Sequence, residues 1–291
     1  MNARMRPAIR LFAVWIALAP CLTGCWGSRE LNSMSIVLAM GIDKVGDEYE
    51  VSVQLVDASQ MTRSRMADRF PVVLYTIKSP SVFEALRRYT AESSRKLYFT
   101  HMRFVLFGEQ TAREGLRNAI DLLFRDFAVR PDFHVAIVRE NKAKNVLSLV
   151  TPTEILPAID LYKSLKLSER EWAPTAAVNV VDLMKGFNQD GMEPVLTGLR
   201  LKGDTEKAKS AENVNQPQTF GDYRYTGIGV LRGDRLVGWL DEDESKAFSY
   251  LRNNVSSTVA SMPCPNSKGH FTVELLKSQA RIKPRVRNGK P

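Results

Sequence analysis

Alternation of apolar and polar residues sets in at Ser35, with Ile36, Leu38 and Met40 on one side of the run to Ile42. A period of two is that of a strand with one buried face. Val51, Val53 and Leu55 repeat it over residues 49–56, and Lys44 to Asp47, containing Gly46, supplies the turn of a hairpin. Residues 62–70 are polar and irregular, and 72–78 read as a third strand. Ser81-Val82-Phe83-Glu84 has the form of a capping box, followed by Val82, Leu86 and Tyr89 on one helical face. Strand composition returns over 97–108. Residues 111–126 read as a helix with Leu116, Ile120 and Leu123 as its apolar stripe. The pattern then predicts a strand over 133–138 and a helix over 141–150. Thr151-Pro152-Thr153-Glu154 opens another helix with proline at its first position, and 194–202 form a strand.

Between 203 and 222 the pattern lapses into Lys, Glu, Asn, Gln and Ser, the composition of a linker. Beyond it, 223–231 and 235–240 flank Arg232-Gly233-Asp234 as a hairpin. Asp241-Glu242-Asp243-Glu244 places negative charge at a helix start, and 255–262 and 271–282 read as a further strand pair. The fold class predicted is α+β. A larger mixed-sheet domain with packed helices spans 33–202, a linker or mobile loop 203–217, and a smaller β-rich domain 218–284. One continuous domain with a long internal loop is the alternative. Arg287-Asn288-Gly289-Lys290 has the chemistry of a hairpin turn, so residues 285–291 are expected to open a further domain.

Ahead of the first strand the pattern changes in kind. Arg4, Arg6 and Arg10 precede an apolar run, Leu11 to Leu22, which ends in Leu22-Thr23-Gly24-Cys25. The run is shorter than the roughly 20 residues a helix needs to cross a bilayer, and the order of parts is that of a signal peptide. The reading is a lipoprotein signal over 1–24, a mature chain beginning at a lipidated Cys25, and a tether over 25–32. Two acyl chains on one sulfur anchor firmly where a single chain does not. Trp26 beside the anchor suits the headgroup level, and ordinary packing is an equal reading of it. Of three cysteines, Cys21 leaves with the signal and Cys25 is blocked. Cys264 remains, without an intramolecular disulfide partner, in the turn-like Pro263-Cys264-Pro265. The formal charge of +9 falls by three with the signal, to +6. Such a balance beside an anchor favours an anionic membrane surface, and equally describes a solvated basic surface.

Catalytic and metal signatures are not found. His101, His134 and His270 are far apart in sequence, and the first two alternate with apolar residues as half-buried groups on strands do. Gly227-Ile228-Gly229 with Gly233 has the wrong last spacing for a dinucleotide site and precedes a hairpin. Basic and aromatic residues are not interleaved as nucleic-acid binding requires.

The stretch Cys25-Trp26-Gly27-Ser28-Arg29-Glu30-Leu31-Asn32, with Gly41-Ile42-Asp43-Lys44 after it, resembles the start of the Ger(x)C lipoproteins, the C subunits of spore nutrient germinant receptors. Similar segments follow at Arg95 to His101, Phe107-Gly108-Glu109, Leu122 to Asp126 and Gly238 to Lys246. Gly27 stands where that family usually has Asp. Family members also continue for a third domain beyond the segment resembling 283–291, so a fragment, a frameshifted product and a functional short form remain open. The resemblance implies a non-enzymatic subunit on the outer face of the spore inner membrane. It would act with polytopic A and B subunits in nutrient-triggered germination, with membrane lipid and not nucleic acid as its other contact. No cofactor is expected beyond a diacylglyceryl group on Cys25, joined by an N-acyl chain where the amine is acylated as well. Trp26, Arg29 and Glu30 are the candidate membrane or partner contacts. The alternative reading is a solute-binding lipoprotein of a transporter, and a wall hydrolase is a third.

Overall fold

Strand β1 (Met34–Val45) is the hub of a mixed sheet, antiparallel to β2 (Glu48–Val56) on one side and parallel to β5 (Phe104–Gly108) on the other. In this computed structural model the described residues are Phe12, Trp15, 33–56, 70–255, 257–265 and 267–283. The chain divides into two compact units, Met1–Met34 and Ser35–Pro291. In the first, Phe12 and Trp15 are helical and exposed.

The second unit holds nine strands in one sheet, ordered β3-β2-β1-β5-β6-β7-β8-β9, with β4 (Lys96–Tyr98) paired to β1. Here β3 is Val72–Ser79, β6 His134–Val138, β7 Val195–Gly203, β8 Gly221–Arg232 and β9 Arg235–Leu240. Strands β1, β5, β6 and β7 run parallel and the flanking strands antiparallel. The parallel segment is buried on both faces, which is why Phe104–Gly108 and His134–Val138 are almost continuously apolar.

Helices cover both faces. On one, α1 (Val82–Glu92), α2 (Glu109–Glu114), α3 (Arg117–Arg125) and α6 (Val180–Asn188) bury Tyr89, Leu116, Ile120 and Leu183 against Met40, Val105 and Ile137. On the other, α4 (Ala143–Leu147) and α5 (Pro157–Glu171) bury Val146, Leu161 and Leu165 against Leu106, Val138 and Leu199. Helix α7 (Glu242–Leu251) follows β9 and starts with a complete capping box between Asp241 and Glu244. Strands β10 (Thr258–Pro263) and β11 (His270–Leu275) pair only with each other. The whole is α+β with a mixed sheet, as the pattern predicts.

Several local expectations change. The β-rich stretch 97–108 is two strands, because the chain turns at Thr100 and His101 to pass from β4 to β5. The helix expected over 111–126 breaks at Gly115, whose φ of +132° lies outside helical backbone. The helix expected from Thr151 starts at Pro157 instead, since the Thr151 hydroxyl is hydrogen-bonded to the Glu154 carbonyl in a turn. Helix α6 was not anticipated, although its Asn179 cap, accepting from the Asp182 N–H at 2.9 Å, is a recognisable start signal. The polar segment 62–69 lies outside the described residues.

The segment 203–217, expected as a linker or mobile loop, lies between two adjacent strands of the one sheet. Strands β7 and β8 on either side of it pair from Val195↔Val230 to Gly203↔Gly221. The segment between them is an ordered excursion closed by Asn213, which is fully buried. Its Nδ2 donates to the carbonyls of Val150 (2.8 Å) and Gly221 (3.0 Å), and its Oδ1 accepts from the N–H groups of Phe220 and Gly221. In this polar stretch one buried amide takes the place of the apolar anchors of a packed loop. Among the described strands, the β10–β11 pair stands apart from the large sheet.

Asn213→Ala should therefore lower unfolding free energy by about 2–4 kcal/mol, since several buried backbone groups lose their partner. Asn213→Asp should recover only part of this, because it keeps the acceptor and loses the donors. Urea denaturation checks both.

Candidate functional site

Adjacent parallel strands β5 and β6 send the chain to opposite faces of the sheet. After β5 it enters α2 and α3, whose Ala112 and Leu116 lie in the first core; after β6 it enters α4 and α5, whose Ala143 and Leu161 lie in the second. A crevice opens beyond the strand ends, at the kind of place where open α/β sheets bind ligands. It encloses about 570 Å³ and is lined by Asp43 and Lys44 from β1, by Gly108 to Thr111 with Arg113, and by Glu140 to Lys142 with Asn145.

Asp43, 2% exposed, organises this crevice. Helix α4 has no side-chain cap of its own, and Asp43 supplies one from 100 residues away. Its Oδ1 accepts from the Ala143 N–H at 2.8 Å and its Oδ2 from the Lys144 N–H at 3.1 Å. Burial raises its pKa in spite of these two bonds. Gly108 makes room for it, since a Cβ there would lie 2.2 Å from Asp43 Oδ1. The φ of Gly108, −63°, is open to any residue, so the requirement is space alone.

Charged partners spread from this point. Glu50 faces Asp43 in the β1–β2 register, and its two oxygens receive Lys142 and Lys144 Nζ at 3.0 Å each. Burial would raise the Glu50 carboxyl, but the two lysines outweigh it and hold the pKa low. Glu109 accepts from Arg113 (2.6 Å) and Trp239 Nε1 (3.1 Å) through Oε1, and from the Glu140 N–H (2.8 Å) through Oε2. Here too burial is overcome, and the pKa is lowered. Lys44 pairs with Glu114 at 2.7 Å, and Glu140 with Arg200. The Trp239 ring lies so close to Gly198 that a Cβ would sit 2.5 Å from it, while the Arg139 guanidinium is 5.0 Å from the ring centroid.

The chemistry of this arrangement is that of a clasp. Glu50 and Glu109 are weak bases once their pKa values are lowered, and Asp43 has both oxygens committed to backbone N–H groups. Among the described residues no group of three or more His, Cys, Asp or Glu is arranged to hold a metal ion. Three of the segments that carry the family resemblance converge here, Gly41–Lys44, Phe107–Glu109 and Trp239. The sequence offered them separately, and no periodicity could bring them together.

The other singled-out residues fall elsewhere. Cys25, Trp26, Arg29 and Glu30 lie outside the described residues. His101 is exposed in a turn rather than half-buried on a strand, because the chain leaves β4 before reaching it. His270 is exposed on β11, and Cys264 follows the end of β10. His134 is on β6 and 7% exposed, with its ring against Phe104 and Tyr162. Burial, and then the charge of nearby Lys166, lowers its pKa to about 4. No helix among the described residues is long and apolar enough to cross a membrane.

These observations define a class: an α+β body whose charged crevice is locked by its own side chains. The model for the spore germination protein N-terminal domain matches residues 27–201, and that for the spore germination B3/GerAC-like C-terminal domain matches 226–291. The chain belongs to this Ger(x)C family of spore germination proteins. It is 30% identical over 277 residues to spore germination protein KC of Bacillus subtilis (strain 168), covering 93% of this chain and 68% of that protein. Spore germination protein B3 of the same organism is 24% identical over 285 residues, with 96% and 70% covered. The crystal structure of the GerBC protein aligns with a TM-score of 0.46 and 19% identity, covering 86% of this chain and 66% of that one. The chain thus spans about two thirds of the length of these relatives.

Asp43→Ala should cost about 2–4 kcal/mol, through a lost cap and two buried N–H groups left unpaired. Gly108→Ala should cost a similar amount by displacing the same carboxylate. The double variant should then cost less than the sum by more than about 1 kcal/mol, because both act on one contact; additivity in urea denaturation would separate them.

His134 gives a pH signature. Its folded pKa is depressed, so the stability it contributes is present above about 6.5 and is lost as pH falls toward about 4. His134→Gln should remove that component from the pH dependence of unfolding, a change of up to about 3 kcal/mol across the window.

Proposed function

We propose that this chain is the lipid-anchored subunit of a spore germinant receptor. It is held by a diacylglyceryl group on Cys25 at the outer face of the spore inner membrane and acts with polytopic A and B subunits. The observation that carries the reading is Leu22-Thr23-Gly24-Cys25 behind a basic, apolar leader, in a chain of the spore germination family. Two acyl chains on one sulfur supply membrane retention to a body whose described helices are not long and apolar enough to span a bilayer.

The role is one of coupling rather than catalysis. Lining charges of the crevice such as Lys44, Arg113, Lys142 and Glu140 are engaged with Glu114, Glu109, Glu50 and Arg200. A charged substrate would have to compete with these pairs. A solute-binding lipoprotein closes two similar lobes on its ligand, whereas the described strands form one large sheet and one hairpin.

Spores carrying Cys25→Ala should lose the protein from the membrane fraction and germinate at least tenfold more slowly with nutrient. Membrane retention and normal germination in that variant would overturn the anchored reading.

A further inference from the structure

The edge of the sheet opposite the crevice combines one fully exposed aromatic side chain with exposed cations. We infer that this edge lies on an anionic lipid surface, with Phe127 entering the headgroup layer.

Pairing defines the edge. Ile36 faces Val56, Val56 faces Val72, and Phe104, the first residue of β5, faces His134, the first of β6. The loop from α3 to β6 therefore lies here, and so does Arg95, which lines a shallow depression with Ser35 and Val56. Phe127 in that loop is 100% exposed. Its turn is fixed: Asp126 Oδ1 accepts from the Ala128 N–H at 2.9 Å, and the Asp126 carbonyl from the Val129 N–H at 3.0 Å. Val129 and Phe133 are buried on the inner side of the same loop. The fold thus holds Phe127 outward while its apolar neighbours turn in. Phe124, three residues earlier, is 37% exposed.

Cations and carboxylates share this end, with Arg125 paired to Asp121 at 2.8 Å and Arg130 to Asp132 at 3.0 Å. The side chains of Arg125 and Arg130 are 75% and 66% exposed in spite of their contacts with Asp121 and Asp132. Arg103 reaches the loop through Asp132, and Arg95, in the depression with Ser35 and Val56, is exposed at the same end of the sheet, as is Lys96 next to it in sequence. An apolar tip with the exposed guanidinium groups of Arg125 and Arg130 on its two sides in sequence, each beside a carboxylate that an anionic headgroup would have to outcompete, matches the chemistry of an anionic membrane surface.

Chain geometry favours the same edge. Ten residues separate Cys25 from Ser35, a reach of at most about 35 Å. The opposite end of β1 is about 33 Å farther along the strand, so presenting the crevice edge to the bilayer would use almost the full tether. This inference rests on the anchor at Cys25 for its geometry, but its test reads the two apart.

The full chain, in a Cys264→Ser background, is spin-labelled at Ala128→Cys or, on the opposite edge, at Asp47→Cys, and bound to vesicles. Pure phosphatidylcholine is compared with phosphatidylcholine containing phosphatidylglycerol. The expected result is several-fold lower access of a water-soluble relaxant to position 128 than to position 47 in the anionic vesicles. Phe127→Ser, at a fully exposed position, should restore access at 128. Equal access at both positions in floated vesicles, whatever the lipid, would overturn the inference and leave the edge to a protein neighbour. Flotation of Cys25→Ala reports the anchor independently: protection at 128 with unchanged flotation supports the edge and removes the anchor.

Discussion

One buried carboxylate sets the arrangement of the crevice. Asp43 ends a strand near the start of the chain and caps a helix 100 residues later, so β1, β5 and α4 reach their positions together. A buried carboxylate is unfavourable unless its oxygens are hydrogen-bonded, and here two N–H groups at a helix start meet that need. The helix in turn lacks a cap from its own sequence. Each requirement meets the other, which makes the contact a constraint on topology rather than a local ornament.

From that contact the charged clasp extends in both directions. Glu50 gathers the two lysines flanking Ala143, and Glu109 joins the ends of β5, β6 and β9 through Arg113, the Glu140 N–H and Trp239. Three glycines give these groups space: Gly108 for Asp43, and Gly198 and Gly229 for the Trp239 ring. Bulk at any of them would push a side chain out of the network, so the network and the glycines stand or fall together.

Much of the fold was legible because it depends on local rules. Alternation placed β1, β2 and β3 within a few residues, and Gly46 and Gly233 located two hairpin turns, where each has positive φ. The acidic run from Asp241 announced α7. What the pattern did not reveal had both long-range and local causes. The stretch 203–217 looked like a linker because its anchor is a single polar side chain, Asn213, bonded to residues on two sides of it. The split at Gly115 was hidden because its neighbours keep helical periodicity, and Pro152 was preferred to Pro157 because a local turn at Thr151 imitates a helix start. The crevice was illegible as a site, since Gly41–Lys44, Phe107–Glu109 and Trp239 meet only through strand order.

The two edges of the sheet differ in how far their paired cations stand in solvent. At the crevice, cations meet carboxylates at 2.6–3.0 Å in pairs such as Arg113–Glu109, Lys44–Glu114 and Lys142–Glu50, which fixes loops and leaves few free donors. At the other edge Arg125 and Arg130 also meet carboxylates, at 2.8 and 3.0 Å, but stay more exposed, beside a phenylalanine with no cover. Parallel strands buried on both faces connect the edges and resist deformation, because close-packed interiors transmit displacement rather than absorb it. A body of this construction keeps its two ends at a fixed separation, so a displacement imposed at one end is carried to the other rather than absorbed between them.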